Sequence, residues 1–147
     1  MIRAEILIQE LAWEDALADA DALVRQAAEA TPGEGEATIL LTNMKQVRDL
    51  NARFRDRHAA TNVLAFPAAD TYRPYLGDVA LAFEVCRLEA DEQCKTLADH
   101  LRHLVVHALL HLLGYDHVDS ADAERMEALE RQILQRLNVP DPYGEPG

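Results

Sequence analysis

The sequence predicts an α+β domain, with a small mixed sheet of four strands packed against about five helices. Three observations point there. Apolar residues switch between alternating and helical spacing in the order β α β α β β α α α. Helical segments separate the early strands, whereas only a loop joins the last two, which suits an antiparallel pair. A chain of 147 residues, 49% hydrophobic and 27% charged, fills one domain over residues 1–147 and can bury a real core.

The elements follow in order. Residues Ile2 to Ile8 alternate as a first strand, and Trp13 to Ala30 form a helix with Leu17, Ala20, Leu23, Val24 and Ala27 on its apolar face, stopped by Thr31-Pro32-Gly33. Ala37 to Leu41 read as a second strand. The next helix carries Met44, Val47, Leu50 and Phe54 on one side, with Thr42 or Asn43 as its cap. Thr61 to Phe66 form a third strand ending at Pro67, and Asp78 to Phe83 a fourth, with Asp78 read as a cap at its start. Glu84 to Cys94 are helical. A long apolar helix runs from about Leu97 to Leu113 and breaks at Gly114. A last amphipathic helix, about Ala121 to Leu137, buries Met126, Leu129 and Ile133, and the tail after Pro140 reads as loosely ordered.

Composition narrows the function classes. Charges at Arg3, Glu5 and Glu10 leave no secretory or lipidation signal, and no stretch approaches the ~20 apolar residues of a membrane span, so a cytoplasmic protein without membrane contact is expected. Cys86 and Cys94 read as packing residues in one helix, badly placed for a mutual disulfide. A formal charge of −12 argues against a generic nucleic-acid coat. Lys45, Arg48, Arg53, Arg55 and Arg57 nevertheless crowd one short segment, offset by Asp49 and Asp56. They form either a positive groove or a solvated helix face.

The histidines carry the chemistry. His107 and His111 lie four apart on the apolar helix, so their Cβ atoms are about 6 Å apart on one face, a span two imidazoles can close around one ion. Gly114 lets the chain turn back, and His117 follows three residues later, giving HxxxHxxGxxH over residues 107–117. A set made of His103, His107 and His111 would stretch over about 12 Å of helix axis, too far for bonds of about 2 Å to one ion. The third ligand must therefore come from beyond the turn. His103 is left as a substrate contact, a supporting hydrogen-bond donor or a neighbour of the core, while His100 and His58 are assigned to surface or loop. Tyr115 and Asp116 shape the turn that aims His117. Three neutral ligands leave a divalent ion its full charge and an open position for water or a phosphate oxygen.

The same spacing occurs in metzincin proteases, where a Glu directly after the first His is the general base. Here that residue is Ala108, so peptide hydrolysis by that route lacks its proton acceptor. Phosphodiester cleavage can use the ion as a Lewis acid together with an arginine to neutralise charge on phosphorus.

The stretches LNARFR (50–55), TNVLAFP (61–67), LGDVAL (76–81), VVHALLHLLGYDH (105–117) and DPY (141–143) occur in this order, and with them the chain resembles the YbeY endoribonucleases, or rRNA maturation factors, from about Ala37 to Tyr143. It departs from the family pattern at Ala108, where a glycine is usual, and at Ala65, where a serine is usual. The resemblance implies a metal, usually zinc, on His107, His111 and His117, and a catalytic role for Arg55 at the RNA phosphate. It also implies a single-strand-specific endoribonuclease that matures the 3′ end of small-subunit rRNA and serves ribosome quality control. The partners would be an rRNA precursor and the ribosome or its small subunit, with no role for DNA. Two other readings stand beside it: a metalloprotease-like hydrolase, and a ribosome-assembly factor whose metal is structural.

Overall fold

Runs of alternating apolar residues pair into one sheet in the order β1-β2-β4-β3. The computed structural model describes residues 1–55, 61–116 and 119–144, without the side chain of Arg55. The strands are β1 (Ile2–Ile8), β2 (Gly35–Thr42), β3 (Val63–Pro67) and β4 (Tyr75–Ala82). β1 runs parallel to β2 and β2 parallel to β4, while β3 is antiparallel to β4 at the sheet edge, as the connections led one to expect. The helices are α1 (Ala12–Ala16), α2 (Ala20–Ala30), α3 (Met44–Arg55), α4 (Phe83–Glu92), α5 (Leu97–Leu112) and α6 (Ser120–Arg136).

Strand periodicity sorts the core into two layers. Ile39 and Leu41 of β2, with Val79 and Leu81 of β4, face the large cluster that holds Val24 and Ala27 of α2, Leu101, Val105 and Leu109 of α5, and Met126 and Ile133 of α6. Leu40, Ala80, Ala82 and Leu64 face the other way, onto Val47, Met44 and Leu50 of α3. The core is therefore thickest under α5, the helix that carries the histidine pair. Thr96 Oγ1 caps its start by accepting from Asp99 N at 3.1 Å. At its end, Gly114 N–H bonds the His111 carbonyl and Tyr115 N–H reaches back to that of Leu110, both at 3.0 Å, with Gly114 at φ 106°. This pattern closes a helix by a left-handed residue, the conformation glycine adopts at least cost.

Several expectations are corrected. The helix read over Trp13 to Ala30 is two helices. The Trp13 indole N–H bonds the Thr42 carbonyl at 2.9 Å, tying α1 across the end of β2, and an extended Leu17 then redirects the chain into α2. Asn43, not Thr42, caps α3, its Oδ1 accepting from Gln46 N at 2.9 Å. Asp78 sits inside β4 rather than at its start, because pairing with β2 already begins at Tyr75; it accepts a hydrogen bond from the Tyr75 hydroxyl. Cys86 is buried as expected, with burial pushing its thiol pKa up. Cys94 is exposed, because it occupies the left-handed residue (φ 55°) that ends α4. His100 belongs to the interior rather than the surface, as described below. No described helix is long and apolar enough to cross a membrane.

A histidine pair backed by a buried carboxylate

α5 presents His103, His107 and His111 along one side, one turn apart. His107 and His111 come together as their spacing predicts, with their Nε2 atoms 3.1 Å apart. Both residues line a cleft of about 500 Å³. One wall is residues 62–65 with Pro67, that is β3 and the residue before it; the other is His107, Ala108, His111 and the turn at residues 114–116.

The opposite side of His107 is occupied. Its Nδ1 lies 2.5 Å from Glu130 Oε1, a carboxylate on α6 with 0% exposure. An ionised carboxylate accepts only, so Nδ1 carries the proton and Nε2 presents its lone pair toward the cleft. Glu130 Oε2 accepts from the Tyr143 hydroxyl, and His103 Nε2 lies 3.3 Å from that hydroxyl and 3.5 Å from Oε2. Burial alone would raise the Glu130 pKa, but the hydrogen bonds from His103, His107 and Tyr143 outweigh it and hold the value at about 2. Burial, reinforced by the Glu130 charge, pushes the Tyr143 hydroxyl pKa up.

Two groupings could hold a cation, and they share His107 through different nitrogens. The atoms of His103, His107 and Glu130 all lie within 4.8 Å of one another. In that grouping the Nδ1–Oε1 separation is a short hydrogen bond, tighter than the ~3 Å that two ligands with bonds of about 2 Å keep between them. On the cleft side, two imidazole nitrogens at 3.1 Å match that separation, and both residues line the cleft. The donor set therefore fits a divalent ion on the Nε2 side, with Glu130 as the support that fixes tautomer and ring orientation.

Of the residues singled out from sequence, His107 and His111 are brought together. His117 lies outside the described residues, as does His58, and Arg55 ends α3 with its side chain outside the description. His103 takes the supporting-donor role. His100 is 3% exposed, with Nε2 2.9 Å from Glu89 Oε1, which also accepts from Asn62 Nδ2 at 2.9 Å at the lip of the cleft. The tail is docked rather than loose over residues 141–144: Asp141 Oδ1 accepts from Tyr143 N at 2.8 Å, and Arg131 pairs with Asp141 at 3.1 Å. Sequence reasoning missed Glu130. Its signal was its position on the buried stripe of α6 with Met126, Ile133 and Leu134, where a charge needs partners.

The family model described as Endoribonuclease YbeY matches residues 4–138. The protein named Endoribonuclease YbeY from a Bradyrhizobium species is 42% identical, with 96% of this chain and 92% of that one covered. Its counterpart from Maricaulis maris is 44% identical over 97% and 92%, and that from Stutzerimonas stutzeri 51% identical over 77% and 73%. The solution structure of TM1509 from Thermotoga maritima superposes with a TM-score of 0.58 at 22% identity, covering 100% of this chain and 99% of that one, a likeness of fold. A family model matched over residues 4–138, and relatives more than 40% identical over nearly the whole length of both chains, show that the chain belongs to the endoribonuclease YbeY family.

Proposed function

We propose that the protein is a metal-dependent endoribonuclease specific for single-stranded RNA, acting in the cytoplasm in maturation of the small-subunit rRNA 3′ end and in ribosome quality control. The observation that carries the reading is the pair of Nε2 atoms converging at the cleft, one of them oriented by Glu130. His107, His111 and His117 would hold one divalent ion, zinc by preference, although three imidazoles also suit nickel, copper or cobalt. When bound, the ion supplies Lewis acidity and lowers the pKa of water.

The chain's own residues do the rest. Glu130 holds the His107 proton on Nδ1, so Nε2 remains a ligand. Ala108, 1% exposed, keeps the helix close to β3 and places no charge beside the reacting phosphate. Arg55 neutralises charge developing on phosphorus. The proteolytic alternative needs a carboxylate facing the cleft. Glu130 is turned away from it, and Asp116 is the only described carboxylate on its lining. A purely structural metal normally has four protein ligands and no cleft beside it.

The test is His111→Ala and Arg55→Ala, with metal content and cleavage of a fluorescent single-stranded RNA both measured. His111→Ala should lose metal and cleavage; Arg55→Ala should lose cleavage and keep metal. Undiminished RNA cleavage by His111→Ala would refute the reading, and cleavage of casein but not RNA by metal-loaded protein would transfer it to the proteolytic alternative.

A further inference from the structure

The chemistry above leaves the exposed side chains of α3 ahead of Arg55 unused. Phe54 is 63% exposed, although its ring meets Phe66 edge to face with centroids 5.7 Å apart. Phe66 belongs to β3, whose neighbouring residues Ala65 and Pro67 line the cleft. Side chains alternate across a strand, so Phe66 points toward α3 while Ala65 points toward the cleft. Phe54 therefore stands on the far side of the strand that walls the site. A ring so exposed adds little to the core and costs solubility.

The charges on the same helix point the same way. Lys45, Arg48 and Arg53 are exposed, and none forms an ion pair with a described residue. Asp49, the helix's own carboxylate, pairs with none of them. Elsewhere arginines are compensated: Arg25 by Asp21, Arg73 by Asp70, Arg87 by Asp91, Arg102 by Asp99, Arg125 by Asp122 and Arg131 by Asp141. Arg3, Lys95 and Arg136 also lack such a pair but are scattered over β1, the α4–α5 turn and α6. On a chain of charge −12, the outer side of α3 carries three cations with no ion pair among the described residues, while Phe54 stands at the helix's C-terminal end, next to Arg53, on the side of Met44, Val47 and Leu50.

A ring that can stack on a base and cations that track phosphates are together the recognition chemistry of single-stranded nucleic acid. We infer that Phe54 is a stacking platform for one unpaired base of the RNA substrate flanking the scissile segment, with Arg53 next to it, and Arg48 and Lys45 further along the outer side of α3, holding phosphates of the strand as it continues over the helix. The inference rests on the endoribonuclease reading of the cleft. It makes strand preference a property of α3: a duplex keeps its bases stacked on one another and offers none to the ring.

The experiment measures cleavage kinetics of the metal-loaded full chain on a twelve-residue oligoadenylate and on a series with one abasic residue moved along it. Phe54→Leu, which keeps apolar contact with Phe66, should raise KM about tenfold with kcat little changed. Phe54→Tyr should restore KM. The Phe54→Leu penalty should vanish for the substrate abasic at one position. Arg48→Ala should lower the slope of log KM against log salt by about 0.7. An unchanged KM in Phe54→Leu, with the wild-type chain cleaving, overturns this inference alone and leaves the ring to a protein partner. A penalty equal at every abasic position makes the effect structural and overturns it as well. Wild-type protein that neither binds nor cleaves RNA overturns both this inference and the function on which it rests.

Discussion

Glu130 Oε1 lies 2.5 Å from His107 Nδ1, on the side of the ring opposite the Nε2 atom that meets His111. One carboxylate thus sets the tautomer of one half of the histidine pair. Glu130→Gln keeps the shape but turns either a weaker acceptor or an N–H donor toward three donors. The expected result is metal affinity lower by about 10–100-fold, measured by competition with a chromophoric chelator. Affinity equal to wild type would remove Glu130 from the support of the site.

Tyr143 closes the same network from the tail, donating to Glu130 Oε2. Tyr143→Phe removes the hydroxyl and leaves the buried carboxylate with one partner fewer. Hydrogen bonds to charged groups contribute about 1.5–3 kcal/mol, so the urea midpoint should fall by an equivalent amount in metal-free protein. A midpoint unchanged within error would mean that water replaces the hydroxyl without cost.

Two glycines should respond differently to alanine. A Cβ on Gly77 would stand 2.3 Å from the Phe66 carbonyl oxygen and 3.0 Å from Ala68 N, both backbone atoms, at φ 143°. Gly77→Ala must push β3 away from β4, and is expected to cost more than about 4 kcal/mol or to prevent folding. Gly114 has nothing within 4 Å of such a Cβ among the described residues, so Gly114→Ala is expected to carry mainly the backbone cost of φ 106°, about 1–2 kcal/mol. Comparing the two by thermal denaturation separates close packing from backbone strain.

His100 sets a pH dependence. Burial lowers its pKa, with the Glu89 hydrogen bond opposing and with His103 and Lys95 as the other nearby charges. Its Nε2 is engaged by Glu89, and its buried Nδ1 has no partner to accept a second proton's hydrogen bond. The folded state thus favours neutral His100 more than the unfolded chain does. Its contribution to stability is complete above the unfolded pKa of about 6.5 and is lost as pH falls through the lower folded value. Denaturation midpoints between pH 7 and pH 5 should drop further in wild type than in His100→Gln, which keeps a donor for Glu89 and does not titrate. Parallel curves would exclude His100 as the source.

The parts of this molecule legible in sequence were those written in local spacing. Four strands and the meeting of His107 with His111 follow from periods of two and of 3.6 residues, and the antiparallel last pair from the short connection between its strands. What escaped depended on contacts distant in sequence. Glu130 is 23 residues from His107 and looked like one more acid on an amphipathic helix. Tyr143 stood in a Pro-bearing tail whose composition suggested a loose end, and only its contact with α6 shows otherwise. His100 falls to the surface by default when only local spacing is read, since its partner Glu89 comes from another helix. The break at Leu17 was hidden because α1 and α2 carry apolar residues in nearly continuous register.

The docking of Tyr143 onto Glu130 has a consequence in time. Chains are made from the N-terminus, so α5 and its histidines emerge well before the residue that completes the hydrogen bonding behind them. A chain truncated between Glu130 and residue 143 would keep both imidazoles and their backing carboxylate yet lack the clasp that steadies it. The far end of the chain thus completes the support of a histidine pair built on helices well upstream in the sequence.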